Sequence, residues 1–371
     1  MFGIYITASS LANTYLQEGN KSFELQSEWY RILRKQNFIY LSEYNSNDVE
    51  YEDEDYLNNK ELIDMFSQSA GNIDIKPADD KIQQILLDHS KVLDNPNAAY
   101  FLDIDPEEAK AIQDDFGVIC QSVNVPVDTS VFTMPCIPIN FQKDQVSVKG
   151  WDKILQEPAK LPSNSLCIID RYLFCYEGDT VRGDKKNTIG FDNLQLILLF
   201  ALPEHYKGIY NVTIIFDGKA IGSGYDVDTL WQELCIRVDN IAKRKGYKIN
   251  LQYLAIDVDA AGYTKEMTHN RQILSTYYKI QFDNGVNILY YVDGIYAKAK
   301  FTQKIQASVT YDNCLHFEEG DPTIMAMEVQ RGLIRYCISK WKESSRNSHH
   351  YTYRDNNGNK DIKHFNLQSF S

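Results

Sequence analysis

The sequence predicts an α/β protein: a mixed, mainly parallel sheet flanked by helices in the C-terminal half, with a smaller α/β domain before it. Three observations carry this expectation. Strand-like runs alternate with helical periods along most of the chain. Tyrosine is abundant, with 25 residues beside 17 Phe, and aromatic side chains favour pleated, half-buried surfaces. Apolar residues make up 43% and charged residues 24%, the balance of a chain that can bury a sizeable core.

Residues 1–8 alternate weakly and read as a first strand. Residues 22–44 read as a short helix and then a strand. Asp48–Tyr56 carries six carboxylates in nine residues, too many to bury in ionised form, so it is a solvated loop or an acidic docking segment. Lys81–Leu93 has apolar residues at helical spacing. Ala98–Asp103 reads as a buried strand. Asp105-Pro106-Glu107-Glu108 then opens a helix, with an N-cap Asp, Pro at the first helical position and acids in the first turn. Gly117 stops it, and Val118–Ser122 is the next strand. The N-terminal domain is expected over 1–142 and a connector over 143–163.

The C-terminal domain, 164–342, reads as β-α-β-α-β-β-β-β-α. Leu166–Phe174 is a strand with Asp170 and Arg171 in its middle. Glu177–Thr188 is a charged loop, Phe191–Ala201 an apolar helix and Tyr210–Phe216 a strand. Asp228–Lys245 is an amphipathic helix with a Gly stop at 246. Ile249–Asp257 is the following strand. A hairpin over Val286–Phe301, a helix over Thr323–Trp341 and a polar, frayed tail over 343–371 complete the expectation.

Net charge is −13. Such a chain is a poor general binder of nucleic acid, because duplex affinity comes largely from neutralising phosphates. Seven cysteines are scattered without a CxxC pair or zinc spacing, which points to reduced thiols. The opening MFGIYITASSL lacks a basic leader segment, and no apolar run reaches membrane-span length. A cytoplasmic protein with no membrane partner is expected.

The stretch Thr268–Tyr278 carries the strongest chemical signal. His269 and Arg271 are two apart, so on an extended chain they share a face. His can act as a nucleophile or a general acid, and Arg grips phosphate bidentately. Alternatively, His269 bonds a carbonyl and Arg271 pairs with Asp170. A second constellation is Asp257-Val258-Asp259, two carboxylates at a strand end. They could hold Mg²⁺, with Asp217 as the upstream acid; equally they are loop acids. Gly218–Gly224 loosely resembles a phosphate loop but lacks its register, and a strand-to-helix loop is the simpler reading.

The run THNRQILSTYY, followed by FDNGVN, resembles a motif of phospholipase-D-like folds and of the non-catalytic C-terminal domain of MIT-domain proteins. Ile168–Leu173 resembles the opening strand of that fold. The resemblance spans about residues 164–310. The enzymes of this fold carry His-x-Lys-x4-Asp twice. Here Arg271 replaces the Lys and Thr276 the Asp, while His89-Ser90-Lys91 and His205-Tyr206-Lys207 lack the later Asp. The resemblance therefore implies a degenerate, non-catalytic domain that binds phosphate, nucleotide, nucleic acid or a protein partner through Asp170, Arg171, His269 and Arg271. Bacterial relatives of this kind belong to multi-protein modules, antiphage defence among them. No cofactor is expected in that case. The alternative is a nuclease or phosphodiesterase using His269, or Mg²⁺ at Asp257 and Asp259.

Overall fold

The computed structural model describes residues 3–11, 38–42, 60–61, 63–64, 74–128, 138–139, 151–156, 158–175, 189–222, 226–256, 271–282, 285–288, 309–313 and 351–355. The chain divides into two compact units, one built on Met1–Met134 and the other on Pro135–Asn313 with Pro322–Gln368.

The first unit holds five parallel strands: β1 (Gly3–Thr7), β2 (Phe38–Ser42), β3 (Asp74–Pro77), β4 (Ala99–Leu102) and β5 (Ile119–Ser122), ordered β3-β2-β1-β4-β5. Every residue of β1 and β4 is buried, as expected of a parallel sheet with both faces covered. Helix α1 (Asp79–Leu87) and helix α2 (Pro106–Phe116) contribute Ile82, Ile85, Ala109 and Ile112 to the core. The α2 boundaries follow local chemistry. Asp105 accepts from the Glu107 N–H at 2.8 Å, Pro106 occupies the first turn, and Gly117 ends the helix in the left-handed region at φ 61°. Across the sheet face, Tyr5 stacks on Tyr40 and on Tyr100, with ring centroids 4.5 and 5.0 Å apart. These three described tyrosines thus serve sheet packing.

The second unit holds an eight-stranded sheet. Its strands are β6 (Pro138–Ile139), β7 (Ser165–Ile169), β8 (Tyr210–Asp217), β9 (Ile249–Ile256), β10 (Arg271–Ser275), β11 (Tyr278–Phe282), β12 (Val309–Asn313) and β13 (Tyr351–Asp355), in the order β13-β9-β8-β7-β10-β11-β12-β6. Only the centre, β7-β8-β9, is parallel; the other five pairings are antiparallel. This corrects the expectation of a mainly parallel sheet here. Parallel neighbours need a long crossover, which helix α4 (Ile189–Ala201) and helix α5 (Val227–Lys245) supply between β7 and β8 and between β8 and β9. Strands β10 and β11 are joined by Thr276 and Tyr277 alone, and so short a link allows only a hairpin.

Helix α4 is apolar nearly all round and buries Phe191, Leu194, Ile197 and Leu198. Helix α5 buries the stripe Leu230, Leu234, Val238 and Ile241. Arg237 of α5 ties the two helices together: Nη1 donates to Asp192 at 2.7 Å and to Gln195 at 3.0 Å on α4, while Nε donates to Glu233 of its own helix at 2.7 Å. The short helix α3 (Trp151–Ile154) also packs into this unit, where Trp151 is fully buried and donates from Nε1 to Asn193 Oδ1 at 3.1 Å. Residues 151–161 therefore supply core, with Ile154, Leu155 and Leu161 buried as well. Residues 351–355, expected to fray, form β13 and pair with β9. The acidic segment 48–56, the loop 177–188 and the helix expected over 323–341 lie outside the described residues, as does most of the hairpin expected over 286–301.

Candidate functional site

Strand β7 is five apolar or small residues, all buried. Its parallel pairing with β8 runs to Ile169↔Ile215, and the chain then turns over Arg171–Cys175. Asp170 and Arg171 thus stand at the carboxyl end of a central strand and just beyond it, where functional groups gather on parallel sheets. The sequence placed them mid-strand. The strand ends early because Asp170 caps the turn: its Oδ1 accepts from the Tyr172 N–H at 2.9 Å, a local bond that competes with the ladder.

Asp170 is 1% exposed. Its other oxygen, Oδ2, accepts from the Val286 N–H at 2.8 Å. Burial pushes this carboxyl above its ordinary value, against the two backbone donors and the nearby Arg271 charge. The segment that supplies Val286 is shaped for the purpose. Gly285 has φ 101°, and a Cβ there would stand 2.8 Å from Asp170 Oδ2 and 3.5 Å from Arg271 Cδ. Asn287, itself buried, donates from Nδ2 to the carbonyls of Tyr172 and Leu173 at 3.3 and 2.8 Å. The turn after β7 and residues 285–288 are therefore stapled together.

Arg171 is fixed from the adjacent strand. Its Nε donates to Asp217 Oδ2 at 3.0 Å, and Asp217, at the end of β8, is 2% exposed. Asp217 Oδ1 accepts from the Lys219 N–H at 2.9 Å, which closes the Gly218 turn. The partner of Asp217 is thus Arg171. Arg271 opens β10, half-buried beside Asp170. Two later residues of that motif lie elsewhere. Ser275 and Thr276 lie at the far end of β10 in a buried network: Ser163 Oγ is 2.7 Å from Ser275 Oγ and 2.6 Å from the Tyr210 hydroxyl, and Thr276 Oγ1 donates to Asn164 Oδ1 at 3.0 Å. Those residues hold the β7–β10 edge together.

Between the two arginines lies Tyr172. The Arg171 guanidinium is 5.2 Å from its ring centroid and that of Arg271 5.9 Å, both within cation–π range, and Tyr172 remains 37% exposed. The structure therefore brings Asp170, Arg171 and Arg271 together, with carboxylates behind and an aromatic ring in front. Such a surface can hold an oxyanion by charge and a flat group by stacking. His269, Asp257 and Asp259 lie outside the described residues. Of the two His-x-Lys segments, His89 is engaged by Glu108 at 3.1 Å in the first unit, and His205 lies in the second. Among the described residues no three His, Cys, Asp or Glu side chains converge as a metal-holding group, and no helix is long and apolar enough to cross a membrane.

Sequence reasoning missed Tyr172, Gly285 and Val286. Only Gly285 left a signal, as the glycine of FDNGVN. The Val286 contribution is a main-chain N–H, which no side-chain pattern reveals. No protein-family model, curated protein or solved structure matches this chain.

Proposed function

We propose that this chain is a non-catalytic, phosphate- or partner-binding component of a bacterial multi-protein system, antiphage defence among the settings its motif resemblance implies. Arg171 and Arg271 are the binding groups: Asp217 holds Arg171 by an ion pair and the Asp170 carboxyl lies beside Arg271, with His269 joining them on the strength of the motif resemblance alone. The observation that carries this reading is the convergence of two guanidiniums on one exposed ring at the carboxyl end of the central strands. A guanidinium fork pre-oriented by a buried carboxylate, as Arg171 is by Asp217, loses little freedom when it grips an anion. The reading is tested by titrating the protein with pyrophosphate over a range of salt. Arg271→Ala is expected to weaken binding at least fivefold and to lower the salt dependence; unchanged affinity makes Arg271 a structural residue.

A metal- or His-dependent nuclease is the second reading. One observation favours it: Asp170 and Asp217 end adjacent parallel strands, and Asp257 directly follows β9, whose Ile256 pairs with Asp217. Against it, Asp170 spends both oxygens on backbone N–H groups and Asp217 is held by Arg171, so neither is poised as an open ligand for a hard cation. Cleavage of single- or double-stranded substrates with Mg²⁺ or Mn²⁺, abolished by His269→Ala or Asp259→Ala, would establish it.

A further inference from the structure

We infer that the Arg171–Tyr172–Arg271 surface takes a nucleoside phosphate, with the base against the Tyr172 ring and the phosphate on the guanidiniums. This rests on the phosphate-binding reading above and names the ligand class it leaves open.

The first argument is composition. A plain phosphate site needs donors and positive charge but no aromatic surface. Here an aromatic side chain of the site is partly in solvent, while large aromatics elsewhere in this unit, such as Tyr210, Tyr253, Phe174 and Phe191, are buried. A solvent-facing tyrosine flanked by arginines is the pairing that receives a π-face and an anionic oxygen together.

The second argument is scale. Two arginines and one ring match one base and one or two phosphates. A longer nucleic acid would need a run of basic groups, and this chain carries 51 acidic residues against 38 basic ones. Repulsion along a strand would then outweigh two contacts. A mononucleotide is the ligand the charge balance allows.

The test compares two probes that differ only in the base, AMP and ribose 5-phosphate, by calorimetric titration of the full chain. AMP is expected to bind about tenfold tighter. Tyr172→Ala should erase that gap and leave ribose 5-phosphate affinity unchanged, and Tyr172→Trp should restore it. If the two probes bind the wild type equally, the base has no seat here and this inference falls, while the phosphate-binding reading stands. If neither probe binds and pyrophosphate also fails, both fall. If a short single-stranded oligonucleotide binds and AMP does not, the ligand is a polymer and the mononucleotide assignment is wrong.

Discussion

Arg271 faces Asp170 across the β7–β10 pair. The antiparallel register runs Gln272↔Ile169, and the next position outward sets the guanidinium-bearing residue opposite the buried carboxyl, with Gly285 packed against both. Carboxyl, arginine and glycine form one unit, so a change at any of them is felt at the others.

Asp170→Asn should lower stability by about 1–3 kcal/mol, because an amide NH₂ must then meet a backbone N–H where an oxygen accepted one. The loss carries a pH signature. Burial raises the Asp170 carboxyl above its ordinary 3.8, so the folded state keeps its proton longer than the unfolded chain as pH rises. Stability from the protonated form is present below the unfolded value and fades as pH climbs through the folded one. The unfolding free energy of the wild type minus that of Asp170→Asn should therefore shrink between pH 4 and neutrality in denaturant titrations. A flat or growing difference contradicts the burial effect.

Gly285→Ala should cost about 1–3 kcal/mol from backbone strain alone at φ 101°, and more from the contact with Asp170. Thermal melts would show a lowered midpoint. If Asp170→Ala is made first, adding Gly285→Ala should cost less, since the oxygen its Cβ would strike is gone. Strictly additive losses would mean that the glycine is needed only for its dihedral angle.

Much of the scaffold was legible in the sequence, and the reasons are local. Asp105-Pro106 and Gly117 bracket α2 because capping is decided within a few residues. Leu230, Leu234, Val238 and Ile241 announce α5 because one helical face must be apolar. What was hidden is what distance decides. Strand β3 is four residues ending in a proline and has no periodicity to detect. Direction within the second sheet depends on connection lengths rather than on strand composition. Asp170 looked like part of a strand because nothing nearby shows that Val286, 116 residues later, donates to it. Tyr172 looked like one more sheet tyrosine until Arg171 of its own turn and Arg271 of β10 met at its ring.

Ser163 Oγ lies within hydrogen-bond reach of the hydroxyls of both Tyr210 and Ser275. Ser163→Ala should cost about 1–3 kcal/mol by orphaning buried hydroxyls. Combined with Tyr210→Phe it should cost clearly less than the sum of the two single losses. A double-mutant cycle from urea unfolding measures this, and a coupling near zero would show that the two hydroxyls act independently.

Cysteine reactivity should follow burial. Cys120 and Cys167 are buried; burial, with Glu108 nearby, pushes the Cys120 thiol up to about 12, and Cys235 is pushed up to about 11 by burial and Asp239. Thiolates are the reactive form. Alkylation at pH 8, read peptide by peptide by mass spectrometry, should leave the buried Cys120 and Cys167 unmodified in native protein, label the partly exposed Cys235 slowly, and modify all three in urea. Rapid labelling of Cys120 in the native state contradicts the packing around β5.

Strand β13 completes the sheet only after a long delay during synthesis. Its partner β9 leaves the ribosome about 95 residues earlier, which at ~5–20 residues per second is on the order of 5–20 s. Throughout that interval the edge of β9 that β13 later occupies waits for its partner, and an unpaired strand edge is a template for other extended chains.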